Sequence, residues 1–369
     1  MPHQSLTDDT FFLNLGPQHP STHGVLRMLL KLDGEYVVEA EPVIGYSHRG
    51  QEHMAQNRAY AQFLPNVSRM DYLAGLMFNH AYCLAVEKAA GIKVPERGEC
   101  IRTICAEFNR ISSHLLWFGT YLLDIGGITP FLYAFDDREQ ILDLLNEITG
   151  SRLTYSYCRF GGVRDDITER FPEMAKAFIA RLRARLKDYD TLVTKNIIFE
   201  KRTKGIGIIK AEDARRYGLT GPCLRASGVA YDVRRAEPYG MYPEFQFDIP
   251  TGATGDCFDR YMIRLQEMEQ SMRIIEQALG RLAKGPFRAE VPLWVEPPAG
   301  DYHFSYETAR GHLGIYIVSD GGRVPFRMKW RTPSFCNLSI MPMALAETLV
   351  ADTIAILGSI DVVMPEVDR

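Results

Sequence analysis

The chain has 369 residues, enough for two or three domains of about 100–200 residues or for one large core. Hydrophobic residues make up 46%, charged residues 24% and aromatics 11%, a globular composition that excludes a disordered chain, a collagen and a disulfide miniprotein. Lys+Arg is 42 against 46 Asp+Glu, a formal net charge of −4, so no global basic excess draws the protein onto nucleic acid or an anionic membrane.

The N-terminus, MPHQSLTDDTFF, lacks a basic region followed by an apolar one, so no secretory signal is expected. Residues 10–45 read as short strands, with VLRMLLKLDG and EYVVEAEPVIGY flanking a hairpin turn at Asp33-Gly34. After Tyr46 the periodicity turns helical. Residues 71–90 carry a wide apolar stripe through Leu73, Leu76, Met77, His80, Ala81, Leu84 and Val86, with Gly91 as the expected C-cap. A second long helix is expected over 99–123, a third over 136–149 opened by Asp136 and Asp137 and closed by Gly150, and a fourth over 172–193 opening at Pro172.

Residues 115–135, LLWFGTYLLDIGGITPFLYAF, are long enough to span a bilayer at about 20 residues. Asp124 in the middle, then Gly126, Gly127 and Pro130, argue instead for a buried helix and the loop leaving it. Asp124 is then a buried carboxylate that needs a partner. Residues 200–255 read as short strands with a small helix near 211–217. A fifth helix is expected over 256–283 from Asp256, a Pro-rich exposed connection over 290–302, strands over 303–330 around Asp320-Gly321-Gly322, and a final helix over about 342–358. The expected class is α+β: a long-helix bundle core with small β elements from the N-terminal and C-terminal segments. The expected division is 1–50, a β region with a functional loop; 51–290, the helical core; and 291–369, β elements and a helix packing back on it.

The seven cysteines are scattered, with no C-x-x-C pair. That argues against a zinc ribbon, a redox dithiol or a self-contained iron–sulfur site, and fits small buried apolar residues in a reducing compartment. GIGIIK (205–210) is not a dinucleotide fingerprint, and GRLAKGP (280–286) has Pro286 where a phosphate-binding lysine would stand. Three clusters remain. GPQHPSTHG (16–24) packs two prolines, two glycines and two histidines, His19 and His23, into nine residues: a rigid loop, either functional or a surface turn with solvated histidines. GYSHRGQEH (45–53) holds Arg49, whose plain alternative is a surface salt bridge. RMDYL (69–73) opens a helix, with Asp71 placed to cap it and Tyr72 projecting from its first turn, or simply packed as a core tyrosine.

These clusters recur in one order with EFNRISSHLLWFGTYLLDIGGITPFLYAFDDRE, RFGGVRDD, LTGPCLRASGVAYDVR, YETARGHLGIYIVSDGG and RTPSFCNL, from residue 16 to residue 338. Together they resemble the D-subunit (49-kDa) family of respiratory NADH:quinone oxidoreductase, complex I, over nearly the whole chain. The resemblance implies the fold of the nickel–iron hydrogenase large subunit. Hydrogenases hold their metal with two C-x-x-C pairs; the matching stretches here, GYSHRG (45–50) and DVVMPEVDR (361–369), contain no cysteine, so no metal is expected on this chain. It further implies quinone, ubiquinone or menaquinone, as substrate. His23 and Tyr72 would be head-group partners and proton donors, His19 would lie beside them, and Asp124 would pair with His23; Arg49 would stand near a [4Fe–4S] cluster held by a neighbouring subunit. The implied partners are the small iron–sulfur (B) subunit, subunits C and I, and membrane subunits H and A. The implied location is peripheral, on the cytoplasmic side of the bacterial inner membrane.

The chain departs from the family pattern in places. Thr154 stands in RLTYSYCRFGG (152–162) where many members carry a nearby histidine, RGHLG has His312 for Glu, and DVVM has Val362 for Pro. A segment before YETARG is also trimmed. These changes leave open a donor other than NADH. Two further readings are a scaffold that binds nothing and an active hydrogenase. The retained His23, Tyr72 and Asp124 disfavour the first, and the missing cysteine pairs disfavour the second.

Overall fold

The computed structural model describes residues 10–18 and 24–369. An antiparallel sheet opens the fold, β1 (Thr10–Leu15), β2 (Arg27–Asp33) and β3 (Tyr36–Val43) in the order β1-β2-β3. The β2–β3 hairpin turns where expected, with Gly34 in the left-handed region at φ 58°. Along β2, Met28, Leu30 and Leu32 are buried while Leu29 and Lys31 between them are only partly so, the alternation of a strand with one covered face.

Short helices α1 (Gln51–Ala55) and α2 (Tyr60–Val67) lead to the long ones, α3 (Gly75–Ala90), α4 (Glu96–Asp124) and α5 (Ile128–Thr149). α3 ends at Gly91, left-handed at φ 67°, as its sequence requires. It is buried almost all round rather than along one stripe, because α4 and the C-terminal sheet cover its faces. α5 starts eight residues before the expected Asp136: Pro130 falls in the first turn, where a missing N–H costs nothing. Asp136 and Asp137 are therefore mid-helix. They pair with Arg181 and Arg185 of the later helix α6, and Asp137 also accepts from the Tyr189 hydroxyl at 2.6 Å.

A two-stranded ribbon, β4 (Cys158–Arg159) and β5 (Gly162–Val163), precedes α6 (Phe171–Tyr189), which runs into a π-turn over Asp190–Thr194. Then come α7 (Ile197–Thr203), α8 (Ala211–Arg216), α9 (Gly221–Ala226), α10 (Val233–Ala236) and the long α11 (Cys257–Gly280). The strands expected within 200–255 do not form. Gly205 and Gly207 are left-handed, at φ 74° and 62°, so the apolar run they punctuate cannot extend. Asp256 does cap α11, accepting from the Asp259 N–H at 2.8 Å.

A second sheet, β6 (Gly300–Thr308), β7 (Gly311–Ser319) and β8 (Arg327–Arg331), covers α3. The chain closes with α12 (Pro333–Leu338), α13 (Met341–Leu345), α14 (Val350–Ile360) and α15 (Met364–Asp368). The single helix expected near 342–358 is thus two. The backbone between them and the start of α14 are spent on the first hairpin: Glu347 N–H donates to Val37 O at 2.8 Å, Val37 N–H to Thr348 O at 2.9 Å, and Val350 N–H to Glu35 O at 2.9 Å. None of the described helices is long and apolar enough to cross a membrane.

The interior is heavily charged. Arg102, Arg110, Arg225, Arg234, Arg260, Arg264 and Arg310 are all buried. Arginine suits this role because its guanidinium keeps its charge when buried and forks onto two acceptors. Close approach of α14 to α4 depends on Gly358: a Cβ there would stand 2.8 Å from the Tyr121 ring, and the Gly358 carbonyl accepts from the Trp117 indole at 2.7 Å. Gly358→Ala should lower stability by about 1–3 kcal/mol, read as a lower urea midpoint of the purified chain.

Candidate functional site

Tyr72 lies in the bend between α2 and α3. Asp71 fixes that bend: its Oδ1 accepts from the Leu73 and Ala74 N–H groups at 3.0 and 3.1 Å, and its Oδ2 pairs with Arg310 Nη1 at 2.6 Å. Since α3 begins only at Gly75, Asp71 caps the preceding turn rather than the helix, and Tyr72 projects, half-buried, from that turn.

Tyr72 and Leu73 form one wall of a cavity of about 200 Å³. The last turns of α4 form the second wall through Leu116, Thr120, Leu123 and Asp124, positions that share one helix face. The third wall is Asp361, Val362 and Val363, between α14 and α15. A dry cavity of about 150 Å³ takes a benzene ring, so this space admits a six-membered ring with room for oxygens.

The cavity therefore brings Tyr72 and Asp124 together. Asp124 is half-buried rather than deeply buried as expected, because α4 ends on it. The chain then turns out through Gly126 and Gly127, whose N–H groups donate to Leu123 and Leu122. His19 and His23, and with them the expected pairing of His23 with Asp124, lie outside the described residues. Gly24, which follows His23, is described: a Cβ on it would touch the Met364 side chain at 3.3 Å, one residue beyond the third wall.

Arg49 is not on the cavity wall. It is exposed, its Nη2 donates to the Arg69 carbonyl at 2.8 Å, and its backbone N–H donates to Arg369 O. His48, Glu52, Arg327, Lys329 and Asp368 line a separate cleft of about 430 Å³ nearby. Among the described residues no group of three or more His, Cys, Asp or Glu could hold a metal ion. Six of the seven cysteines are buried, Cys336 is partly so, and all seven are free thiols.

Asp361 was not singled out from sequence. It is buried, its Oδ1 accepts from Arg310 Nη2 at 3.3 Å, and its Oδ2 has no hydrogen-bond partner among the described residues. The signal was there: it is the acid retained in DVVM, beside the substituted Val362. Burial pushes the Tyr72 phenol above its ordinary pKa; the negative charges of Asp71 and Asp361 add to this and Arg310 opposes it. Tyr72 thus keeps its hydroxyl proton at neutral pH and can donate into the cavity, whose other two walls carry Asp124 and Asp361.

The family model for the respiratory-chain NADH dehydrogenase 49-kDa subunit matches residues 124–298 and 290–369. A protein of Syntrophobacter fumaroxidans, named as the D subunit of NADH-quinone oxidoreductase, is 62% identical over 365 residues, 99% of this chain and 98% of that protein. The chain belongs to the 49-kDa subunit family. Proteins of the same name from Desulfotalea psychrophila and Bacillus anthracis are 55% and 48% identical, each over 98% of this chain and over 98% and 99% of their own lengths. The long helices with small flanking sheets are the α+β fold expected of the family, and the chain is a subunit of an oxidoreductase complex.

Proposed function

We propose that this chain forms the quinone-reducing site of a membrane-associated, proton-pumping NADH:quinone oxidoreductase. The observation that carries the reading is the cavity itself, in which Tyr72, Asp124 and Asp361 share a ring-sized, largely apolar space. Reducing a quinone takes two electrons and two protons. The electrons come from a [4Fe–4S] cluster held by a neighbouring small subunit. Tyr72 donates a hydrogen bond to one quinone oxygen and its proton as charge builds there. His23, paired with Asp124, supplies the second donor on the loop that ends at Gly24; His19 lies on the same loop, and Arg49 stands toward the donor cluster.

The relatives' shared name supports quinone as substrate and NADH as the source of electrons. An exposed apolar face supports a place within a larger assembly. Ile198 stands exposed on a cleft of about 330 Å³ between the α4–α5 turn and α7, and Ile128, Leu132 and Ile197, also exposed, lie on the same elements. The partners proposed are the small iron–sulfur (B) subunit, subunits C and I, and membrane subunits H and A, with this chain peripheral on the cytoplasmic side of the inner membrane.

Thr120→Trp tests the reading by filling the cavity from the α4 wall. In membranes bearing the assembled complex, quinone turnover should be lost while the upstream donor still reduces the iron–sulfur chain. Unchanged turnover and KM for quinone would place the head group elsewhere.

A further inference from the structure

The three walls of the cavity are joined in pairs. Asn109 on α4 joins the first wall to the second. Its Nδ2 donates to the Leu73 carbonyl at 2.9 Å, and its Oδ1 accepts from the Leu76 and Met77 N–H groups at 3.1 and 3.3 Å. The second and third walls meet where α14 packs on α4 at Gly358, whose carbonyl accepts from the Trp117 indole. The joint between the first and third walls is of another kind: a single guanidinium, delivered by a segment that belongs to neither.

Arg310 sits in the two-residue turn between β6 and β7 and does not itself line the cavity. Its Nη1 donates to Asp71 Oδ2 at 2.6 Å and its Nη2 to Asp361 Oδ1 at 3.3 Å. Asp71 immediately precedes Tyr72 and holds the Leu73 N–H, while Asp361 is the first residue of the third wall. All three charged side chains are buried. Among the described residues, Arg310 makes the only hydrogen bond to the Asp361 carboxylate; Arg264 Nε, 4.0 Å from Asp361 Oδ2, is too far for one. The turn that carries Arg310 is pinned in its own right. The Arg310 carbonyl accepts from Asn337 Nδ2 at 3.2 Å, and α9 lies so close that a Cβ on Gly221 would overlap that same oxygen.

We propose that Arg310 is the clamp that sets the gap between the Tyr72 wall and the Asp361 wall, and with it the ring systems the cavity takes. The inference rests on the quinone reading above. Asn109 and the Gly358 contact fix two sides of a triangle, and the Arg310 fork closes the third. Two charge-assisted hydrogen bonds from one planar group constrain both distance and angle between the acids they hold. A buried ion pair adds little net stability over well-packed apolar residues, so registry between the walls is what this one contributes. Arg310 thus acts on the head group through Asp71 and Asp361, as a positioning residue.

The test uses the purified whole complex, with NADH as donor and two short-chain acceptors, a one-ring benzoquinone and a two-ring naphthoquinone. Arg310→Lys keeps the charge but loses the fork, since an ammonium does not span both carboxylates. The acids, no longer bridged, repel each other and the walls part. KM for the benzoquinone should rise roughly tenfold, while NADH still reduces the iron–sulfur chain as in the parent. The kcat/KM ratio of naphthoquinone to benzoquinone should rise roughly threefold or more, because the wider gap relieves the bulkier ring. Asp71→Asn cuts the same link from its other end: the amide oxygen still accepts from Leu73 and Ala74, but its NH₂ faces Arg310 as a second donor. It should reproduce both changes, and it carries the test alone where Arg310→Lys yields too little complex. The double variant should be no worse than either single one, since both break one link. Parental KM and parental quinone ratio per assembled complex, with only the yield or urea midpoint lowered, would overturn the clamp, as would additive losses in the double variant. Tyr72→Phe run alongside separates the two readings. Normal turnover there overturns the quinone site, whereas lost turnover there with a parental KM in Arg310→Lys overturns only the clamp.

Discussion

Quinone turnover falls by roughly a hundredfold in Tyr72→Phe, while the upstream donor still reduces the iron–sulfur chain. The substitution keeps the ring in the bend between α2 and α3 and removes only the hydroxyl. Asp71 still holds that bend through Leu73, Ala74 and Arg310, so the protein stays folded. What disappears is a donor. Asp124 and Asp361 sit on the other two walls and leave the place of the Tyr72 hydroxyl empty. The measurement pairs quinone reductase activity of membranes with the reduction level of the iron–sulfur chain. Unchanged turnover would remove the head group from this cavity and favour a scaffold role for the chain.

Arg225→Met destabilises the protein by about 3–5 kcal/mol, since it strands buried carboxylates. Arg225 reaches Glu267 Oε1 at 2.6 and 2.9 Å through two nitrogens, Glu307 Oε1 at 2.8 Å and the Tyr231 carbonyl at 2.9 Å. Burial alone would push the Glu267 carboxyl up. The Arg225 charge and the His114 hydrogen bond at 2.9 Å overcome it and hold Glu267 well below the usual carboxylate range. A carboxyl whose folded-state pKa is depressed contributes stability above its unfolded pKa and loses it as pH falls through the folded value. Urea unfolding at neutral pH should therefore show the full deficit of Arg225→Met. The gap from the parent should narrow at acid pH, where the variant's stranded Glu267 and Glu307 take up protons. Glu267→Gln in the same chain should recover part of the loss, and Arg225→Lys should not rescue it, because an ammonium cannot span both carboxylates. An equal deficit at both pH values would show that packing, not charge, is what Arg225 supplies.

Local signals in the sequence were reliable where the backbone alone decides. Gly91 and Gly150 end their helices in the left-handed region, Asp256 caps α11, and Asp33-Gly34 turns the first hairpin. They misled where a distant segment competes for the same backbone. Residues 347–350 read as helix, yet Glu347 and Thr348 hydrogen-bond with Val37 and Val350 with Glu35. Asp136 and Asp137 read as a helix start, yet their charges answer Arg181 and Arg185 on α6. At the site, the resemblance implied that Tyr72 and Asp124 lie near one another through His23, and both line one cavity. Asp361 was in view in DVVMPEVDR but carried no periodicity or spacing that marks a site; only its place on the cavity wall singles it out.

The buried ion pairs also order events during synthesis. Asp71 precedes its counter-ion Arg310 by 239 residues, and Arg310 precedes Asp361 by 51. At about 5–20 residues per second, a ribosome needs roughly ten to fifty seconds to deliver Arg310 after Asp71 has emerged. Throughout that interval the nascent chain carries Tyr72 and, later, Asp124 with no third wall to enclose them. The cavity therefore has no closed form until Asp361, Val362 and Val363 have been made.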